Sequence, residues 1–194
     1  MRDKQKPDKK IAKRLTPPQA AAFWGVLSAL ALALSWAESF LAPMLNLPMG
    51  VKPGLSNIAV MMASAVLGLP AGLAVAAGKA VFAGLTRGLT AMLLSGAGGI
   101  VSALLVGLLL KFSIQHSVPS GHGSYAAFSI TETGIGMLGG AAHNMVQLLA
   151  AALLMGAPGV LWAAPALLLC GTLTGAVTGT AVKLLRKTKW GVFL

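Results

Sequence analysis

The chain has 194 residues, of which 56% are hydrophobic and only 10% charged, whereas soluble chains average about 25% charged residues. Its net charge of +11 is concentrated outside the apolar body, with nine charged residues before residue 15, which points to membrane orientation and not to nucleic acid. Long uncharged apolar stretches in a chain too small to bury them are membrane spans, so the expected fold class is an all-α integral membrane protein with about six transmembrane helices.

The tail, residues 1–17, carries Arg2, Lys4, Lys6, Lys9, Lys10, Lys13 and Arg14 and is expected to be cytoplasmic, disordered and held near anionic headgroups. The apolar run from Pro18 to Leu41 exceeds the roughly 7–15 residues of a cleavable signal core and reads as a first helix. Ala21, Gly25, Ala29, Ala33 and Ala37 recur along it at a spacing of four. Such a file lets another helix approach closely, either within the bundle or from a partner subunit.

Further spans are expected at 54–68, 71–94, 97–112, 131–156 and 159–185. The second is short, with Lys52-Pro53-Gly54 placing Pro in its first turn, and short or broken helices often line sites. Ser95-Gly96-Ala97-Gly98-Gly99 reads as a turn or re-entrant piece between the third and fourth spans. The segment from Lys111 to Ile130 reads as a cytoplasmic loop. In the sixth span Gly171, Gly175 and Gly179 form a packing file, and Cys170 reads as a small core residue. Lys183, Arg186, Lys187 and Lys189 follow, with 186–194 a basic C-terminus. The 18–185 body is thus a six-helix domain of a multi-pass cell-membrane protein with both termini cytoplasmic.

Each charge inside the body needs a reason, since insertion at a helix centre costs about 2.5–3.5 kcal/mol. Apart from Lys111 at the loop and Lys183 at the basic C-terminal end, five occur: Glu38, Lys52, Lys79, Arg87 and Glu132. Glu38 can pair with Lys79 or Lys52 to lock the bundle. Alternatively the surplus cations Lys52, Lys79 and Arg87 form a site for an anionic ligand entering from outside, aided by the positive end of the second helix. In the fifth span His143, Asn144 and Gln147 crowd one side and suggest a polar cavity, which Asn57 can join.

Enzyme chemistry has little to work with. Asp3 and Asp8 are the only aspartates and Glu38 and Glu132 the only other acids, so no carboxylate metal site is expected, and a lone intramembrane His is a poor metal ligand. Pro119-Ser120-Gly121-His122 matches one element of membrane lipid phosphatases, but no Asp follows residue 8 and the rest of that pattern is missing. The match reads as coincidence, and His116 and His122 as solvated loop residues. No cofactor is expected, and no Gly-x-x-x-x-Gly-Lys-Ser/Thr phosphate loop is present.

Three segments together carry a family resemblance: Glu38 with Pro43; Gly50-Val51-Lys52-Pro53-Gly54-Leu55-Ser56-Asn57; and Gly139-Gly140-Ala141-Ala142-His143-Asn144-Met145-Val146-Gln147-Leu148. From Ser28 to Val182 the chain resembles the Gx transporters, a bacterial family also named heptaprenyl diphosphate synthase component I. It departs in having Pro53 where Leu is usual and Lys79 where Arg is frequent. That family is similar to the substrate-binding S components of energy-coupling factor importers. The similarity implies a six-helix bundle with a ligand near the outer side and Ala29, Ala33 and Ala37 docking a transmembrane coupling subunit driven by cytoplasmic ATPases. The function expected is uptake of a small, anionic, vitamin- or cofactor-like molecule such as a flavin, quinone precursor or isoprenoid-like compound. The alternative is a non-catalytic membrane component of a polyprenyl diphosphate synthase, because prenyl transfer needs Mg²⁺ held by aspartate clusters. A purely structural scaffold ranks last, since it leaves the charges at membrane depth without a purpose.

Overall fold

The computed structural model describes residues 16–47, 51–115 and 130–187. Among them are six α-helices and one 3-10 helix, with no strand: α1 (Pro17–Met44), α2 (Asn57–Val66), α3 (Leu69–Arg87), α4 (Leu89–Gln115), α5 (Glu132–Met155), the 3-10 helix Pro158–Ala163, and α6 (Ala164–Lys187). The Pro119–His122 element, His116 and both charged extremities lie outside the described residues, except that Arg186 and Lys187 continue α6.

Five segments are long and apolar enough to cross a membrane: Pro17–Met44, Leu69–Arg87, Leu89–Phe112, Glu132–Met155 and Pro158–Leu184. Their outward faces are apolar, with Trp24, Trp36, Phe40, Leu153 and Trp162 all exposed, while Glu38, Lys79, His143, Asn144 and Gln147 are each at most 2% exposed. A soluble protein distributes these residue types the other way round. The chain is a multi-pass membrane protein.

Local chemistry sets the helix ends. Thr16-Pro17-Pro18-Gln19 opens α1: the prolines occupy positions whose N–H groups have no helical partner, and Gln19 Oε1 accepts from Thr16 N at 3.0 Å. Helix α2 has only ten residues, about 15 Å of rise, or half a bilayer core. The buried, non-helical segment from Val51 to Ser56 precedes it. Pro53 therefore lies before the helix and not in its first turn, and the span expected from residue 54 starts at 57. Gly156 takes a left-handed conformation with φ +60° to close α5. The last span then opens as a 3-10 turn before α6, and not as one helix from 159.

The boundary between the third and fourth spans also differs from the sequence expectation. The turn is at Gly88, with φ +90°, where the absence of a Cβ makes the conformation accessible. Residues 95–99 lie inside α4, and their glycines serve close packing. A Cβ on Gly98 would sit 2.8 Å from His143 Nδ1, and one on Gly99 would sit 3.2 Å from the Ala76 Cβ.

Successive helices run antiparallel, as their contacts record: Ser56 with Lys79 and Ser64 with Gly72, Ala80 with Gly96, and Ser102 with Gly139. Helices α5 and α6 meet backbone to backbone, with Gly136 and Gly140 against Gly175 and Gly171; a Cβ on Gly171 would approach Gly140 O to 2.5 Å. The start of α1 and the end of α6 thus share one face. The 51–56 segment, the Gly88 turn and the 3-10 helix lie towards the other. On α1, Leu27, Ala31, Ser35 and Glu38 face inward. The file Ala21, Gly25, Ala29 and Ala33 is exposed, and Ala37 is half-buried.

Candidate functional site

Helix spacing places Ser35, Glu38 and Ser39 on one inward face of α1. The Glu38 carboxylate accepts from Ser56 Oγ at 2.7 Å and from the backbone N–H of Leu55. It therefore occupies the N-terminal end of α2, where an anion is favoured by the helix dipole. That end is filled by the chain's own carboxylate and not left for a ligand. Lys79 Nζ donates to the same Ser56 Oγ at 3.3 Å, so one hydroxyl links ammonium to carboxylate. The direct ion pair of Glu38 with Lys79 or Lys52 expected from sequence is not formed.

Among the described residues no carboxylate contacts Lys52 or Arg87 either. Lys52 Nζ donates to Ser35 O at 2.5 Å and Ser39 Oγ at 3.1 Å. Arg87 Nη1 donates to the same two atoms, at 3.2 and 2.6 Å, and Nη2 to Ser35 Oγ at 3.2 Å. Two like charges meeting on one carbonyl lie within about 6 Å and repel by about 3 kcal/mol at an effective dielectric of about 20, less where Arg87 meets solvent. Lys52 is buried and Arg87 half-buried, so the pair sits at the surface edge, or mouth, of the buried polar cluster. Arg87 Nε is buried there without an acceptor.

Beneath the mouth, side chains stand in for a missing helix. Non-helical backbone at membrane depth requires partners for its N–H and C=O groups. Gln147 Oε1 accepts from Lys52 N at 3.0 Å, and Asn144 Nδ2 donates to Pro53 O at 3.0 Å and to Leu167 O at 2.7 Å. Gly54 has φ +90°, and a Cβ there would lie 2.6 Å from Asn144 Oδ1 and 3.3 Å from His143 Cδ2, so only glycine suits this crossing. Asn144 and Gln147 thus hold the fold at the place where sequence assigns them to ligand.

The innermost group is unsatisfied. Asn57 Nδ2 donates to Ser102 Oγ at 2.8 Å, and Ser102 Oγ donates to Gly139 O at 3.0 Å. Among the described residues Asn57 Oδ1, His143 Nδ1 and Asn144 Oδ1 are buried with no hydrogen-bond partner, although buried polar atoms are nearly always paired. The Lys79 stem borders this group, its Cε 3.9 Å from where a Gly99 Cβ would lie.

The structure places the eight candidate binding residues in neighbouring groups and not in one continuous chain of bonds: Glu38 and Lys79 meet on Ser56, Lys52 and Arg87 on Ser35 and Ser39, Gln147 and Asn144 hold the 51–56 segment, Asn57 bonds Ser102, and His143 packs beside Gly54 and Gly98. Ala29, Ala33 and Ala37 lie away from these groups. Glu132 is separate, in the first turn of α5 beside an apolar cavity lined by Met61, Val106, Ile135 and Val182. Sequence reasoning missed Ser35, Ser39, Ser56 and Ser102; the available signal was that Glu38 and Ser39 lie three and four residues after Ser35. Among the described residues no three His, Cys, Asp or Glu side chains converge as metal ligands.

No curated protein and no solved structure matches the chain. A family model described as Heptaprenyl diphosphate synthase component I matches residues 27–185, which include all of these groups. The chain belongs to the heptaprenyl diphosphate synthase component I family.

Proposed function

We propose that this chain is a non-catalytic, membrane-embedded binding subunit that captures a small anionic solute at the Lys52–Arg87 mouth for uptake. The observation that carries the reading is the convergence of two cations on Ser35 O and Ser39 Oγ with no carboxylate of the described residues on either. Buried like charges are expensive unless something of opposite sign joins them. With basic termini in the cytoplasm, the mouth faces outward in the cell membrane. The unpartnered acceptors Asn57 Oδ1 and Asn144 Oδ1 favour a ligand whose body donates hydrogen bonds, as a flavin-like ring does, over an isoprenoid tail, which donates none. The exposed Ala29–Ala33 side of α1 suits a transmembrane coupling subunit, with ATP hydrolysis supplied by cytoplasmic partners.

The family's name favours a second reading, an accessory of a polyprenyl diphosphate synthase. Without aspartate clusters that role too is non-catalytic. Extraction and mass analysis of small molecules retained by the mildly solubilised protein separates the two. Uptake requires an anionic compound that is retained by the wild type and lost from Lys52→Met. A co-purifying soluble synthase with no such compound would overturn the uptake reading.

A further inference from the structure

We infer that the Lys52–Arg87 mouth recognises a phosphoryl dianion. The inference rests on the anion-capture reading of the same cluster and specifies its ligand.

Charge balance comes first. Lys52, Lys79 and Arg87 face a single carboxylate, Glu38, which Ser56 links to Lys79. The Glu38 charge acts on Arg87 as well as on Lys79, so two positive charges are left over in the cluster as a whole, whose outer end is the Lys52–Arg87 pair. A monocarboxylate would leave one cation uncompensated in a low-dielectric setting, whereas a dianion leaves none.

Convergence comes second. Because Lys52 Nζ and Arg87 Nη1 share Ser35 O and Ser39 Oγ, both charges are reached from one point. A compact tetrahedral group places oxygens on both cations at once. A dicarboxylate, with its charges at opposite ends, suits cations held apart. The third observation is an unmet donor: Arg87 Nε is buried without an acceptor. The planar guanidinium fork matches two oxygens of one phosphate, and Nε supplies a bond that the protein leaves unmade. Free inorganic phosphate and a phosphate ester present the same headgroup to these atoms.

The test is thermal unfolding of the full-length protein in mild detergent, titrated at matched ionic strength with inorganic phosphate, sulfate, glycerol 3-phosphate, succinate and acetate. Phosphate and sulfate should raise the midpoint saturably while succinate and acetate do not. Arg87→Gln and Lys52→Met should each weaken the apparent phosphate affinity by about tenfold or more. Glycerol 3-phosphate acting as strongly as phosphate would identify an ester as the source; inactivity of the ester beside active phosphate would identify the free ion. A shift with acetate or succinate equal to that with phosphate would overturn the phosphoryl assignment and leave anion capture standing. Absence of a shift with every anion would overturn both.

Discussion

Lys52 Nζ and Arg87 Nη1 donate to the same two atoms of α1, the Ser35 carbonyl oxygen and the Ser39 hydroxyl. The two side chains come from different elements, the 51–56 segment and the C-terminal end of α3. Their meeting therefore fixes how α1, α3 and the non-helical segment sit together. It also leaves the pair redundant, since removing one cation orphans neither shared acceptor.

Asn144 and Gln147 should behave as structural residues. Gln147→Ala removes the acceptor of Lys52 N, and Asn144→Ala the donor to Pro53 O and Leu167 O. Each leaves buried backbone groups unpaired at a cost of about 1–3 kcal/mol per group. Both variants should unfold at lower temperature than the wild type in detergent, with Asn144→Ala the more affected.

Glu38 should be worth more than any single cation. Glu38→Gln leaves three buried or half-buried cations with no negative charge among them, a loss of about 3–5 kcal/mol by analogy with broken buried pairs. Combining it with Lys79→Met should recover part of the loss. A double-mutant cycle on thermal unfolding measures this coupling, and additive losses would contradict the linkage through Ser56.

Glycines on the two files should differ sharply. Gly140→Ala drives a methyl group into the Gly171 backbone, where overpacking costs about 1–3 kcal/mol or more. Nothing lies within 4 Å of the position a Gly25 Cβ would take, so Gly25→Ala should not destabilise the chain and should raise its unfolding free energy by up to about 1 kcal/mol through helix propensity.

The outward file of α1 should report on partners and not on the fold. Ala29→Phe with Ala33→Phe adds bulk to exposed positions and should leave thermal unfolding of the isolated chain unaltered. Co-purification of a transmembrane partner, or uptake in cells, should be lost.

Much of this organisation is legible in the sequence because membrane insertion makes each polar residue conspicuous. Glu38, Lys79 and His143 stand out in apolar surroundings, and all of them are buried within the bundle. The Ser95–Gly99 run misleads because glycine serves two ends, turning the chain and letting helices touch. Only the tertiary arrangement shows that Gly88 does the first while Gly98 and Gly99 do the second. The role of Asn144 was hidden for a similar reason. Its partners Pro53 and Leu167 are distant in sequence, and no local spacing reveals that a side chain will replace a missing helical hydrogen bond. The serines escaped notice because Ser is ordinary in membrane helices, and Ser39 matters only once two cations are known to reach it.

The most direct test of the central claim is a paired measurement on Lys52→Met: thermal stability without ligand, and retention of the anionic compound. Because Arg87 still serves Ser35 O and Ser39 Oγ, and repulsion between the cations is relieved, stability of the ligand-free variant should match or exceed that of the wild type while the compound is lost. A variant that unfolds much earlier, by about 3–5 kcal/mol as when a buried pair is broken, and still retains the compound would contradict the account and make Lys52 a structural lock.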